Sequence, residues 1–178
     1  MMTSETEGRI FVSGSVADIF FPPGSARGIS TSIEQIESGE LRRTVNGNLV
    51  DLTREELRKY AISLSCDGMS LPGFDSVWRG MICTITPPVR WIIKVEPGQN
   101  SVTFARPAAN AKMFDAETNN PFPDPIIGSN GTSATFSAQA SVAWIEYQPI
   151  FQTRVVGRSE SSEEWEASAT WSLELEEI

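Results

Sequence analysis

The sequence predicts a mainly β protein, an antiparallel β-sandwich or barrel with one short helix and a long loop rich in proline and asparagine. Two patterns carry this prediction. Apolar and polar residues alternate over long stretches, most regularly at residues 165–176, as in strands with one buried face. Proline and glycine interrupt these stretches at short intervals, as in the turns between antiparallel strands. We expect residues 1–8 to form a flexible tail and residues 9–178 a single β-rich structural domain.

The first third of the chain predicts short strands joined by turns. A strand pattern begins at Arg9, and the Phe-Pro-Pro-Gly run at residues 21–24 breaks it, because proline cannot donate to a strand ladder. Apolar residues recur at mixed spacing in residues 27–37, so helix and strand both fit there. Asn46 and Gly47 lie between apolar residues, which is the strongest short-range signal for a β-hairpin.

One short helix is predicted after this hairpin. Thr53 can cap the helix N-terminus, and Glu55 and Glu56 lie in the first turn, where negative charge is favourable. The helix spans about two turns at most, because from Tyr60 to Cys66 the apolar side chains recur at every second position, as in a strand.

The long loop is predicted at residues 106–131, which contain four prolines and four asparagines. Connections of this length are uncommon inside compact domains and are usually functional or disordered. The strand at the C-terminus should pair with residues 147–156 across a polar turn at residues 159–162. Further strands are predicted at residues 77–86, 89–95, 101–105 and 132–157.

Composition argues against several classes of function. The net charge is −9, from 14 basic and 23 acidic residues, and the basic residues are scattered, which does not favour a grip on nucleic-acid phosphates. The chain has no histidine, which removes Ser-His-Asp and Cys-His catalysis and His-ligated zinc. No secretory signal and no apolar run near the roughly 20 residues of a membrane helix is found, so we expect a soluble protein made in a cytoplasm.

Cys66 and Cys83 each fall on the apolar face of a predicted strand. They could form a disulfide or half of a metal site, but two buried small hydrophobic side chains are the favoured interpretation, because other strong metal ligands are not clustered near them. Residues 130–132 match the N-glycosylation pattern, but without a secretory signal a turn is the better interpretation. We therefore predict no catalytic, metal or cofactor-binding residues and a protein that is not an enzyme.

Acidic residues crowd the C-terminal segment, where no lysine or arginine follows Arg158. A glycosidase would need two carboxylates at a set separation, one of them with a raised pKa. Glu166, Glu174 and Glu176 instead fall on the polar face of a strand, where a solvated row of charges is the simplest interpretation. A third interpretation is that they line a channel, because an acidic lumen would repel DNA and let it slide.

Large apolar residues in and beside the long loop are candidates for contact between subunits. Aromatic and methionine residues often anchor interfaces, although packing against their own domain explains them equally well. We expect deletion of the loop to preserve the fold and to abolish assembly. The candidates are Phe104, Met113, Phe114, Phe122, Ile126 and Ile127.

Five stretches of the chain carry a resemblance to a known family. They are LRRTVNGNLVDL at residues 41–52, RKY leading to SC at residues 58–66, VWRG at 77–80, YQP at 147–149 and WSLELEEI at 171–178. They resemble small virion structural proteins of long-tailed bacteriophages (siphophages), usually labelled minor tail or tail-tip proteins. The resemblance covers most of the chain from about residue 28 onward, whereas residues 97–137 depart from the family pattern.

The resemblance implies a structural role in the virion tail, after synthesis in the cytoplasm of the host bacterium. Tail proteins form rings, typically three- or six-fold, so the implied partners are copies of this chain and adjoining tail proteins. The tail tip or baseplate is favoured over the shaft. DNA could pass through the lumen without being bound specifically, and no membrane partner is expected. The alternatives are a tail-tube subunit, a head–tail joining protein, or a module that binds a host-surface glycan.

Overall fold

A computed structural model describes residues 9–11, 19, 22, 25, 28–36, 41–51, 58–75, 77–163 and 168–178. These residues form strands and turns, with no helix among them, so the prediction of a mainly β protein is confirmed. The predicted tail at residues 1–8 and the helix start at Thr53 lie outside the described residues. The strands are β1 Arg9–Phe11, β2 Ser30–Gln35, β3 Leu41–Arg43, β4 Leu49–Asp51, β5 Tyr60–Gly68, β6 Ile82–Thr86, β7 Trp91–Val95, β8 Ser101–Thr103, β9 Ala108–Asp115, β10 Ile126–Ile127, β11 Ser133–Thr135, β12 Ala143–Pro149, β13 Phe151–Glu163 and β14 Ser168–Glu177.

The chain divides into two compact units. Unit 1 spans Met1–Phe11 and Thr84–Phe151, and unit 2 spans Val12–Cys83 and Gln152–Ile178. The points of division fall within β6 and after the first residue of β13, so both strands contribute residues to each unit. This division does not test the prediction of a single domain over residues 9–178, which stays a prediction.

Unit 1 contains two three-stranded antiparallel sheets, in the orders β7-β12-β9 and β10-β11-β8, and the pairing of β1 with β6. Its core forms where these strands turn alternate side chains inward. On β12, for example, Ala143, Ile145 and Tyr147 are buried. Fully burying a side chain such as Ile145 contributes roughly 1.5–3 kcal/mol, so this alternation is the main stabilising feature of the unit.

The predicted loop at residues 106–131 is wrong as a continuous loop, because β9 and β10 lie within it. Ala108, Ala111 and Met113 are all buried, but the inward positions do not keep a period of two. Asn110 explains the break, since its φ of 49° is left-handed and the pairing of β9 with β12 shifts register beside it. Because the buried positions of β9 are irregularly spaced, a search for alternating apolar and polar residues does not detect this strand.

Unit 2 is built on an antiparallel sheet in the order β13-β14-β5-β2. The inward residues of β5 and β14 lie opposite each other, with Leu64 facing Leu173 and Cys66 facing Trp171. The Trp171 indole N–H donates to the Ser25 carbonyl at 2.7 Å, and its ring meets Phe74 edge to face at 5.4 Å. These contacts form the centre of the unit's core. Residues 27–37, where helix and strand both fitted, contain strand β2.

Two turn predictions have different outcomes. The hairpin at Asn46 and Gly47 is confirmed, because β3 and β4 pair across it and Gly47 has a φ of 80°. The turn at residues 159–162 is wrong, because these residues belong to β13 and pair with residues 169–172 of β14. Serine and glutamate gave the segment a turn-like composition, but it contains neither proline nor glycine to end the strand.

Both cysteines are buried and form no disulfide, which confirms that they act as small core side chains. Burial raises the pKa of the Cys66 thiol, and the negative charge of Asp67 raises it further. Burial also raises the pKa of Cys83, whose sulfur lies 3.1 Å from the Thr153 hydroxyl. Within the described ranges, no helix has the length and hydropathy needed to span a membrane.

Candidate functional site

The outer face of the unit 2 sheet is covered by small hydroxyl side chains and acidic side chains. Four serines form a row across its strands, since Ser30 lies opposite Ser65, Ser65 opposite Ser172, and Ser172 opposite Ser159. Neighbouring strands lie about 4.8 Å apart, so the row spans roughly 14 Å. The Ser159 and Ser172 hydroxyl oxygens are 2.7 Å apart and hydrogen-bonded.

Three further rows complete this surface, which we call the polar face. One row lies on one side of the serine row and two lie on the other, at positions fixed by the same strand register. The rows are Asp67, Thr170 and Ser161, then Ser32, Ser63, Glu174 and Gly157, then Glu34, Ala61, Glu176 and Arg154.

The period of two explains how the polar face and the core share the same strands. On β5, Ile62, Leu64 and Cys66 are buried, whereas Ser63 and Ser65 between them are exposed. The sequence of β14 alternates in the same way. One surface of the sheet is therefore apolar and packed, and the other is polar and open to solvent.

The polar face is acidic. Glu34, Asp67, Glu174 and Glu176 lie on it, and Arg154 is the one basic residue among its described positions. Like charges on neighbouring strands raise the local negative potential, which attracts cations and repels phosphates.

Glu174 leans across the neighbouring strand. A Cβ atom added at Gly157 would lie 3.0 Å from its Oε2 atom, so the carboxylate occupies the space above the glycine. Gly157 also follows a shift in the pairing of β13 with β14. The bulge and the lack of a side chain at Gly157 together let the Glu174 carboxylate lie close to the sheet. This part of the polar face therefore protrudes little.

The polar face includes two of the three predicted lumen residues. Glu174 and Glu176 are exposed on it, at alternate positions of β14. Glu166 lies outside the described residues. A lumen-lining role for these glutamates stays a prediction, since a lumen would form only between subunits.

The predicted contact residues lie at different depths in unit 1. Phe104 and Met113 are buried in its core, and Phe122 and Ile127 pack against that core. Phe114 is half-buried and stacks on Trp144, with ring centroids 4.6 Å apart. Ile126 is 73% exposed. A contact role stays a prediction for the group, in which Ile126 is exposed and Phe114, Phe122 and Ile127 are half-buried.

An exposed tryptophan in unit 2 was not singled out as a site from the sequence. Trp78 is 66% exposed, and the Arg158 guanidinium lies over its ring at 5.6 Å. Arg158 also donates to the Phe74 carbonyl, and its Nε lies 3.6 Å from a carboxylate oxygen of Glu160. These contacts hold the cation in place against the indole. The signal in the sequence was the short VWRG motif between strands, which by itself does not reveal exposure.

Unit 1 has an open pocket of about 620 Å³ beside β7. Its aromatic lining is formed by Trp91, Phe104 and Tyr147, with the Phe104 and Tyr147 ring centroids 4.4 Å apart. Arg90 lies at its margin in an ion pair of 3.0 Å with Glu146. Aromatic walls with a charged margin can hold a small ligand that has both apolar and polar groups.

Comparison with protein families, with characterised proteins and with solved structures gave no significant match to this chain.

Proposed function

We propose that this chain is a non-enzymatic structural component of a bacteriophage tail, at the tail tip or baseplate, that assembles into a homo-oligomeric ring of three or six copies. The observation that carries the proposal is the polar face of unit 2. The family resemblance in the sequence supports it independently. The proposal includes the finer architecture, a β-sandwich or barrel with a short helix near Thr53.

A surface that lines a DNA channel must not hold the DNA. Proteins bind DNA mainly by placing lysine and arginine against phosphates, which releases condensed counterions. The polar face does the opposite, because its acidic residues outnumber Arg154. Its hydroxyl groups would keep a hydrated layer over the sheet. DNA could therefore slide past this face with little friction.

Assembly would use the exposed edges and surfaces that remain outside the polar face. Rings require a heterologous contact, in which one patch of a subunit meets a different patch of the next. β2 lies at one edge of the unit 2 sheet. β7 lies at one edge of a unit 1 sheet whose other edge strand, β9, already hydrogen-bonds with residues 120–122. Free strand edges pair readily with other chains, so β2 and β7 are candidates for subunit contact.

The first test is immunogold labelling of intact phage particles with antibody against this chain, together with mass spectrometry of the purified particles. We expect gold confined to the distal end of the tail. Gold along the shaft or at the neck would move the protein to a tail-tube or head–tail joining role, which copy number per virion would separate. Absence of the protein from intact and tail-disrupted particles would refute a virion role.

Trp78 favours a second candidate function, the binding of a host-surface glycan. An exposed indole beside a guanidinium and a carboxylate can stack on a sugar ring and hydrogen-bond its hydroxyls. Trp171, by contrast, is 2% exposed. If this function holds, host glycans should quench tryptophan fluorescence in the native chain but not in Trp78→Ala. Equal quenching in both proteins, or none in either, would exclude Trp78 as the site.

A further inference from the structure

The β3–β4 hairpin (residues 41–51), which we call the arm, is exposed at residues 42–50. All side chains from Arg42 to Val50 are exposed. Val45 is fully exposed and Leu49 is 57% exposed. A two-stranded hairpin is at best marginally stable alone in water, and clustered exposed apolar residues usually mark an interaction site. The arm therefore has the features of a segment that docks on a partner.

The turn of the arm is well formed. The Thr44 N–H donates to the Asn48 carbonyl at 2.8 Å, and the Gly47 N–H donates to the Thr44 carbonyl at 2.8 Å. The Arg43 guanidinium donates to the Gly47 carbonyl at 3.1 Å. Among the described strands, β3 and β4 pair only with each other, so no described strand pairs with the outer edge of either one. The arm can add to another sheet without refolding.

A matching edge exists in the distal part of β13. β13 has 13 residues, whereas its neighbour β6 has five, so β6 can pair with only part of β13. Val155 of β13 already hydrogen-bonds with Gly80 and Met81. Beyond that point β14 is the strand described as pairing with β13, up to Glu163 opposite Ser168. All residues from Ser159 to Glu163 are exposed, although the Glu160 side chain, which contacts Arg158, is only 30% exposed. This distal edge offers backbone groups to an added strand.

The charges of the arm and the distal edge are complementary. Arg42 and Arg43 are consecutive in β3, so their side chains project on opposite faces of the strand. Glu160 and Glu163 are separated by an odd number of positions in β13, so they too project on opposite faces. A strand added at this edge would place one arginine and one glutamate together on each face, where opposite charges on adjacent strands attract.

Both elements are exposed in the same chain, which makes a second copy of the chain the partner that fits. The net charge of −9 makes two copies repel in general. The arm has two arginines, Arg42 and Arg43, and one acidic residue, Asp51, so its net charge is positive, unlike that of the whole chain. Contact between an arm and a distal edge is heterologous, as ring formation requires.

We propose that the arm of one copy docks on the distal edge of β13 in a second copy, with β3 extending the sheet and Arg42 and Arg43 meeting Glu160 and Glu163. The docking buries Val45 and Leu49 and joins the two sheets through backbone hydrogen bonds. On docking, Glu160 gives up its longer contact with Arg158, and Arg42 gives up the interaction that it already makes within its own chain. Each side chain gains a closer contact across the interface. The inference deepens the proposed function by naming the contact between subunits, and it rests on ring assembly.

Charge reversal in the purified full-length chain tests the contact. Sedimentation velocity would measure self-association of the native chain, of Arg42→Glu/Arg43→Glu, of Glu160→Arg/Glu163→Arg, and of the chain with all four changes. We expect each pair of changes to weaken association by roughly tenfold or more and the fourfold variant to regain it. The matched control is Arg79→Glu/Lys112→Glu, which changes two exposed basic residues elsewhere and should associate as the native chain does.

A second measurement detects the contact directly. A bis-maleimide should join Val45→Cys copies to Ser161→Cys copies in a mixture, more efficiently than it joins either variant to itself. The native Cys66 and Cys83 are buried and should not react. Docking is overturned if the native chain stays monomeric, if either charge pair can be reversed without effect, or if the mixed cross-link is absent. A tail role that fails in virions while these results hold would refute the proposed function and leave the contact standing.

Discussion

Replacing Trp171 by phenylalanine tests whether one hydrogen bond joins the N-terminal part of unit 2 to its sheet. Trp171 is 2% exposed, and its indole N–H donates to the Ser25 carbonyl at 2.7 Å. Phenylalanine keeps an aromatic ring beside Phe74 but cannot donate. Leaving the buried carbonyl without its donor costs about 1–3 kcal/mol, and the cavity beside the smaller ring costs about 1 kcal/mol. We expect a loss of about 2–4 kcal/mol, a large part of a typical stability of about 5–15 kcal/mol.

Equilibrium unfolding in urea measures this loss as a lower midpoint at an unchanged slope. The matched control is Trp144→Phe in unit 1, where the ring is half-buried and stacked on Phe114, a contact that phenylalanine can keep. We expect this control to lose less than about 1 kcal/mol. If both variants lose the same small amount, the hydrogen bond to Ser25 does not stabilise the unit and the reasoning is refuted.

Three further predictions concern charge and reactivity. Hydrogen bonds from the Thr118 backbone and the Ser141 hydroxyl, among others, lower the pKa of Asp115 from 3.8 to about 2, so its stabilising effect is present above pH 3.8 and disappears as the pH falls toward 2. Asp115→Ala should therefore flatten the dependence of stability on pH in that window, measured by urea unfolding at each pH. If the polar face lines a lumen, Glu174→Lys/Glu176→Lys should leave particles assembled but slow DNA ejection several-fold, with a salt dependence. The native cysteines should resist alkylation near neutral pH and react fully in denaturant.

Each of these predictions has its own control. For pH, the control is Asp124→Ala, which removes an exposed carboxylate of unit 1 and so separates the loss of a negative charge from the loss of the hydrogen bonds at Asp115. For ejection, Glu117→Lys/Asp124→Lys makes the same change of charge on the exposed surface of unit 1 and should leave the rate unaltered. Equal slowing by both pairs would show that net charge, not the polar face, controls ejection. Rapid alkylation of the native chain would contradict the buried positions of both thiols.

Local signals in the sequence were sufficient where one short segment determines the structure. The Asn46–Gly47 turn needs a left-handed residue between two paired strands, and the sequence supplies it within a few positions. The strict alternation in β14 likewise predicted which side of that strand is buried. In both cases the deciding interactions lie within the segment or directly along it.

Other features depend on strands far apart in sequence. The serine row exists because residues 30, 65, 159 and 172 come into register, which no single segment reveals. From the sequence, Phe104 and Met113 were candidates for subunit contact, but both side chains are buried in the core of their own unit. β9 was missed because Asn110 shifts its alternation, and the distal part of β13 because its polar side chains are typical of turns. Pairing between distant strands decides burial and register, and a single sequence does not encode that pairing locally.

The alternation that separates the polar face from the core also separates two kinds of mutational change. Substitutions at Ser63, Ser65 or Ser172 alter charge, bulk or hydration on one side of the sheet, while Leu64 and Leu173 continue to hold the other. Surface changes of this kind usually shift stability by less than about 0.5 kcal/mol. A lineage could therefore retune this surface for a different cargo or neighbour by single replacements, and the fold would tolerate each intermediate along the way.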